Sequence, residues 1–183
     1  MTSPANEPIQ LVRECIATTI PIGVATTLRA GETVRVMQTL GGNITVRAST
    51  GALLRIAGAD ADALGLDRPA PEAALPQSGS FAMSQVDDAL QSVYDPEIPV
   101  SVVELGLIYR CEEQRLPDGG RLIAIDMSMT APGCGMGNIL QIDAANAVRA
   151  VPGVDDVEVN LVWDPPWSIS RMSEAARLQL GML

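Results

Sequence analysis

The 183-residue chain has no histidine and no lysine; its twelve basic side chains are all arginine. Without imidazole there is no Ser-His-Asp or Cys-His relay and no histidine metal ligand. Without lysine there is no Schiff base and no Walker-type phosphate loop. Aromatic residues make up 3% of the chain, so its core has to be aliphatic. Cysteine is confined to Cys15, Cys111 and Cys134, an odd number at long spacings with no Cys-x-x-Cys pair. That pattern argues against a disulfide framework. It also stops one chain from building a four-cysteine site; such a site needs a second copy, as in a homodimer, or carboxylate co-ligands. No stretch approaches the roughly 18 uninterrupted apolar residues of a membrane span. The opening MTSPANEPIQ lacks the basic start and apolar middle of a signal peptide. A soluble cytoplasmic protein with no membrane partner is expected.

Charge of one sign is also scarce. The net charge is −10. Phosphate backbones need clustered Lys or Arg, so the charge argues against a nucleic-acid partner; it fits solubility, or a basic or metal-bearing partner. Hydrophobic residues reach 47%, enough for a proper core in one or two small domains.

Residues 67–80, DRPAPEAALPQSGS, combine three prolines with small residues and read as an exposed linker. They separate a β-rich part, 1–66, from an α+β part, 81–183. Residues 1–78 carry seven acids and six arginines, net −1; residues 79–183 carry fifteen acids and six arginines, net −9. In the first part IQLVRECIATTIP is rich in β-branched residues. GETVRVMQTL alternates, with Val34, Val36 and Gln38 on one face, and Gly-Gly-Asn then predicts a hairpin. GALLRIAG reads as another strand and DADALGLD as a short helical turn. The expectation is a small barrel or sandwich, acting as an interaction or structural module.

In the second part, Met83, Val86, Leu90 and Val93 recur at helical spacing, with Ser84 as candidate N-cap. VVELGLIYRCEE reads as a strand, PDGG as a turn and RLIAIDMSMT as its antiparallel partner. GNILQIDAANAVRAV reads as a helix with Ile139, Ile142, Ala145 and Val148 or Arg149 near one stripe. DVEVNLVW is a third strand and SEAARLQLGM a last helix with Ser173 as cap. The order α-β-β-α-β-α predicts a two-layer α+β sandwich.

Three stretches carry candidate chemistry. TAPGCGMG, residues 130–137, leaves a strand and enters a helix. Pro132 and Gly133 turn the chain, while Gly135 and Gly137 leave the Cys134 sulfur approachable. A thiolate at a helix start gains from unpaired N–H groups and partial positive charge, which suits a nucleophile or a soft-metal ligand. Cys15 and Cys111 read as inert strand cysteines. In VYDPEIPVSVVELGLIY, two prolines stiffen a loop bearing Asp95, Glu97 and Glu104. These either form an acidic metal or partner site, or Asp95 and Ser101 cap turns. In VWDPPWSISRM, Trp163 and Trp167 bracket a rigid loop that either covers the thiol or docks the last helix. Arg171 is a candidate partner for the acidic loop.

DPEIPVSVVELGLIY, MSMTAPGCGMG and VWDPPWSISRMSEAAR, taken in order, resemble the signature of the iron–sulfur maturation domain family. That family includes SufT-type proteins and the phenylacetyl-CoA oxygenase accessory protein PaaD. The resemblance spans about 80–183, and the preceding β-rich part resembles the extra domain of SufT proteins. Many relatives have proline directly after the cysteine, where this chain has Gly135, which changes local stiffness. The resemblance implies a non-enzymatic auxiliary factor that assists cluster delivery from the SUF machinery to recipient apoproteins. Cys134 would be the functional thiol and a transient iron or cluster ligand. Asp95, Glu97, Glu104, Thr130, Gly133, Gly135, Trp163 and Trp167 would shape its pocket. Two other readings stay open: an adaptor that holds no metal, and a thiol enzyme using Cys134 as nucleophile with a carboxylate as base.

Overall fold

The computed structural model describes residues 8–67, 80–131 and 137–182. They fall into two compact units, within Met1–Ala73 and Ala74–Leu183. The linker stretch lies mostly outside the described residues.

The first unit is one antiparallel sheet of six strands: β1 (Pro8–Gln10), β2 (Cys15–Ile20), β3 (Ala25–Leu28), β4 (Thr33–Leu40), β5 (Asn43–Ala48) and β6 (Leu53–Ala57). Their spatial order is β1-β4-β5-β6-β2-β3. Barrel and sandwich were both open on sequence; the strands hydrogen-bond as a single sheet whose order ends at β1 and β3. The expected hairpin turns at Gly41 and Gly42, both with positive φ (60° and 69°), the geometry a two-residue turn needs. Val34 and Val36 point inward as expected, but the register shifts between Val36 and Gln38, so the alternation does not continue unbroken. Cys15, Ala17, Val34, Val36, Ile44, Val46, Leu54 and Ile56 share one core with a 3-10 turn over Gly58–Leu64.

The second unit follows the predicted order. Helix α1 (Met83–Gln91) precedes strands β7 (Ile108–Arg115) and β8 (Arg121–Met127). Helix α2 (Gly137–Arg149) then leads to β9 (Asp156–Leu161), and α3 (Glu174–Gln179) follows. β7 pairs antiparallel with β8, and β8 pairs parallel with β9. The β8-α2-β9 crossover is the connection that parallel neighbours require. Ile123, Ile125 and Met127 of β8 and Val157 and Val159 of β9 are buried in one core with Val86 and Leu90 of α1 and Leu140, Ala144 and Val148 of α2. No helix among the described residues is long and apolar enough to cross a membrane.

Three local expectations are corrected. Ser84 is inside α1, not its cap; the cap position is Ala82, whose N–H donates to Gln85 Oε1 at 3.0 Å. The buried stripe of α2 is Gly137, Leu140, Ala144 and Val148, while Ile142 is exposed. The apolar residues of this helix offer two stripes, and the one with small Gly137 and Ala144 admits the closer approach to the sheet. Finally, Val102–Gly106 are a turn, and the strand starts only at Ile108. Gly106 has φ +68°, which a strand cannot hold. Ser173 does cap α3, accepting from the Ala176 N–H at 3.0 Å.

Candidate functional site

Because β8 and β9 are parallel, both end at the same edge of the sheet, at Met127 and Leu161. β7 runs the other way and begins there, at Ile108. The loop before β7, the loop after β8 and the loop after β9 therefore leave from one edge. These are the three stretches that carried candidate chemistry. Hydrogen bonds tie them together. Ser128 N–H donates to Leu107 O and Val162 N–H to Met127 O, each at 2.8 Å. Tyr109 Oη donates to Pro165 O at 3.0 Å. The space beyond the carboxyl ends of parallel strands is a recurrent ligand position in α/β sheets.

The acidic loop is built from the inside out. Asp95 is buried, and its Oδ1 accepts from the Glu97 N–H at 2.8 Å and the Ile98 N–H at 2.9 Å. Burial pushes its carboxyl above the ordinary value, against the pull of those two N–H groups. Glu97 is exposed, and its carboxyl is also raised, first by desolvation and then by the Asp95 charge. Ser101 Oγ donates to Gln91 Oε1 and accepts from the Glu104 N–H at 3.2 Å. Asp95 and Ser101 thus act as turn caps.

Glu104 reaches back to the end of the chain. Its carboxylate accepts from Ser173 Oγ, and its main-chain oxygen accepts from the Ser173 N–H at 2.9 Å. Next to it, Gly106 lies against the main chain of Arg171: a Cβ there would fall 2.1 Å from the Arg171 carbonyl oxygen. Arg171 does not pair with the carboxylates of the loop. Its guanidinium lies 3.7 Å over the Tyr109 ring, and its Nε donates to Gly106 O at 3.3 Å. The two tryptophans differ. Trp167 packs on the core and donates Nε1–H to Leu105 O at 2.8 Å, whereas Trp163 is 44% exposed.

Cys134, with Pro132, Gly133 and Gly135, lies outside the described residues. The frame on either side is described. Thr130 is half-buried in a bend, and Gly137 is buried at the start of the 13-residue α2. Ser128, two residues before Thr130, has a fully buried hydroxyl with no hydrogen-bond partner among the described residues. The other thiols are poorly ionised: burial raises Cys15, and burial followed by the charges of Asp87 and Glu112 pushes Cys111 up to about 11. Among the described residues no three Cys, Asp or Glu side chains gather as a metal cluster. Sequence reasoning missed Ser128 and the steric role of Gly106. Only the Leu-Gly-Leu interruption of an apolar run hinted at the second.

An edge where three loops meet at the mouth of a β-α-β crossover defines a small α+β domain with one cysteine-bearing loop. The chain belongs to the iron–sulfur cluster assembly protein family, whose model matches residues 83–161. Over 94 residues it is 42% identical to the Fe-S protein maturation auxiliary factor of Porphyromonas gingivalis, covering 51% of this chain and 86% of that one. Over 90 residues it is 37% identical to the Fe-S protein maturation auxiliary factor SufT of Staphylococcus aureus, covering 49% of this chain and 98% of that one. Over 71 residues it is 34% identical to the iron–sulfur cluster carrier protein of Deinococcus radiodurans, covering 39% of this chain and 19% of that one.

Proposed function

We propose that this protein is an auxiliary factor of iron–sulfur protein maturation that hands cluster or iron, as cargo, from SUF-type assembly proteins to recipient apoproteins in the cytoplasm. The observation that carries the reading is the convergence of the three loops at one sheet edge, in a chain of this family. Cys134 is the cargo ligand. In sequence it precedes by three residues Gly137, where the 13-residue α2 begins.

The remaining donors argue for a loose hold. Asp95 Oδ1 is engaged by two main-chain N–H groups and Glu104 by Ser173. With no histidine and one thiol in the loop, the set is completed by a second copy or by the donor or recipient protein. An incomplete set releases its cargo readily. The role is a non-enzymatic one, in keeping with relatives named maturation auxiliary factor and cluster carrier. The β-rich unit is an addition to the matched domain: a 90-residue match already covers 98% of the SufT of Staphylococcus aureus, which leaves no room there for such a module. Trp163 is exposed on the loop after β9, and it contacts the partner.

The test is anaerobic reconstitution of the wild type and of Cys134→Ser, reading bound iron, sulfide and visible absorption. Uptake by the wild type alone supports the carrier reading, and one cluster per two chains points to a shared site. If neither protein binds iron and both still bind the same recipient, the protein is an adaptor.

A further inference from the structure

Charge in the first unit is sorted by position. Strands β2 to β6 contain no Asp or Glu, and their charged residues are Arg35, Arg47 and Arg55. The described carboxylates of this unit, Glu14, Glu32, Asp60, Asp62 and Asp67, all lie outside the strands. Asp60 and Asp62 are held by Arg13, at 2.9 and 2.6 Å.

The three arginines share one face. Val34 and Val36 flank Arg35, Val46 precedes Arg47, and Leu54 and Ile56 flank Arg55; these five apolar side chains belong to the core. Side chains alternate along a strand, so the arginines stand on the other face of the sheet. β4, β5 and β6 are neighbours there. Arg35 lies directly opposite Arg47 in the β4–β5 register, and Arg55 is opposite Thr45, two positions from Arg47. Arg35 and Arg47 are exposed and Arg55 is half-buried. Arg47, on the middle strand, makes no hydrogen bond or ion pair among the described residues. Like charges directly opposite each other weaken a sheet, so stability does not account for this placement.

We propose that the outer face of β4, β5 and β6 is the docking surface for an acidic segment of a partner protein, with Arg47 as its anchor and Arg35 and Arg55 on either side. Charge complementarity selects the occupant. A guanidinium offers a planar fork that matches a carboxylate, and no carboxylate of the strands competes for it. Neighbouring strands are about 4.8 Å apart, so the three arginines span roughly 10 Å, the reach of a few residues of extended peptide. Nucleic acid fits less well. Strands β2 to β6 carry no aromatic ring on which a base could stack. A long polyanion also meets the repulsion of the whole chain, net −10, whereas a short acidic segment engages this face alone. The surface lies in the β-rich unit, and neither it nor its test depends on Cys134.

The test is fluorescence anisotropy of a labelled deca-glutamate peptide titrated with the full chain at low salt, about 20 mM, where screening is weak. Saturable binding is expected, and it should weaken as salt is added. Arg47→Gln should weaken it at least about fivefold, and Arg47→Lys, which keeps the charge and loses the fork, should fall between. Arg29→Gln makes the same charge change at an exposed position outside the strands and should stay within about twofold of wild type. Because Arg35 faces Arg47 directly, Arg47→Gln should unfold in urea no earlier than the wild type, which separates lost binding from lost fold. A wild type that does not bind the peptide overturns the proposal. So does binding that Arg29→Gln weakens as much as Arg47→Gln, or a single-stranded deoxyoligonucleotide of equal length that binds more tightly than the peptide.

Discussion

Trp167 donates its indole N–H to the main-chain oxygen of Leu105 at 2.8 Å. The bond fastens the loop after β9 to the turn before β7, and it separates the two tryptophans by role. Trp167→Phe keeps an aromatic ring but loses the donor. It should destabilise the second unit by about 1 kcal/mol in urea unfolding. Trp163→Phe should cost less than Trp167→Phe, because Trp163 is 44% exposed.

Gly106→Ala meets two obstacles: a left-handed backbone and the Arg171 carbonyl oxygen 2.1 Å from the new Cβ. The main chain must move, since the carbonyl is backbone and not the end of a flexible side chain. A loss of about 2 kcal/mol or more is expected. Tyr109 fluorescence should change as Arg171 leaves its ring.

The buried carboxyl of Asp95 gives a signed pH dependence. Its folded pKa is raised, chiefly by burial, above the ordinary 3.8. The folded state therefore binds this proton more tightly than the unfolded state does. Its contribution is fully present below 3.8 and is lost as pH rises from there through the folded pKa. Asp95→Asn retains an oxygen for the Glu97 and Ile98 N–H groups but does not titrate. The stability difference between wild type and Asp95→Asn should shift in favour of the variant as pH rises through that window. A pH-independent difference would refute the assignment.

Thiol chemistry should be selective. With Cys111 pushed up to about 11, its thiolate fraction at pH 8 is about one in a thousand. Cys15 is buried and raised as well. Iodoacetamide at pH 8 should label one fast site in the native protein. That fast phase should vanish in Cys134→Ser and persist in Cys111→Ser.

The order of elements in the second unit was legible because its periods are clean. RLIAID alternates, and Met83, Val86 and Leu90 step by three and four. The α2 stripe was misread because Ile139 and Ile142 outweigh Ala144 by hydrophobicity, whereas packing on a sheet rewards the smaller side chain. Ser84 is a better capping residue than Ala82, but the helix begins where the chain turns, and there Gln85 Oε1 accepts from the Ala82 N–H. The Val102–Gly106 turn was hidden by its apolar residues. Val102 and Leu105 are buried, as a strand's residues would be, yet Ser101 and Gly106 close the segment into a turn. The three site stretches could be named from sequence, but their meeting could not. It depends on β9 lying parallel to β8, and nothing local in DVEVNL states that.

Glu104 and Ser173 hold each other through side chain and main chain across 69 positions of sequence. The family match stops at residue 161, before Ser173. A fragment cut at the limits of that match would keep the acidic loop and lose the clasp that shuts it. The portable module is therefore longer than the segment by which it is recognised, and grafts or swaps between relatives have to carry the tail through α3.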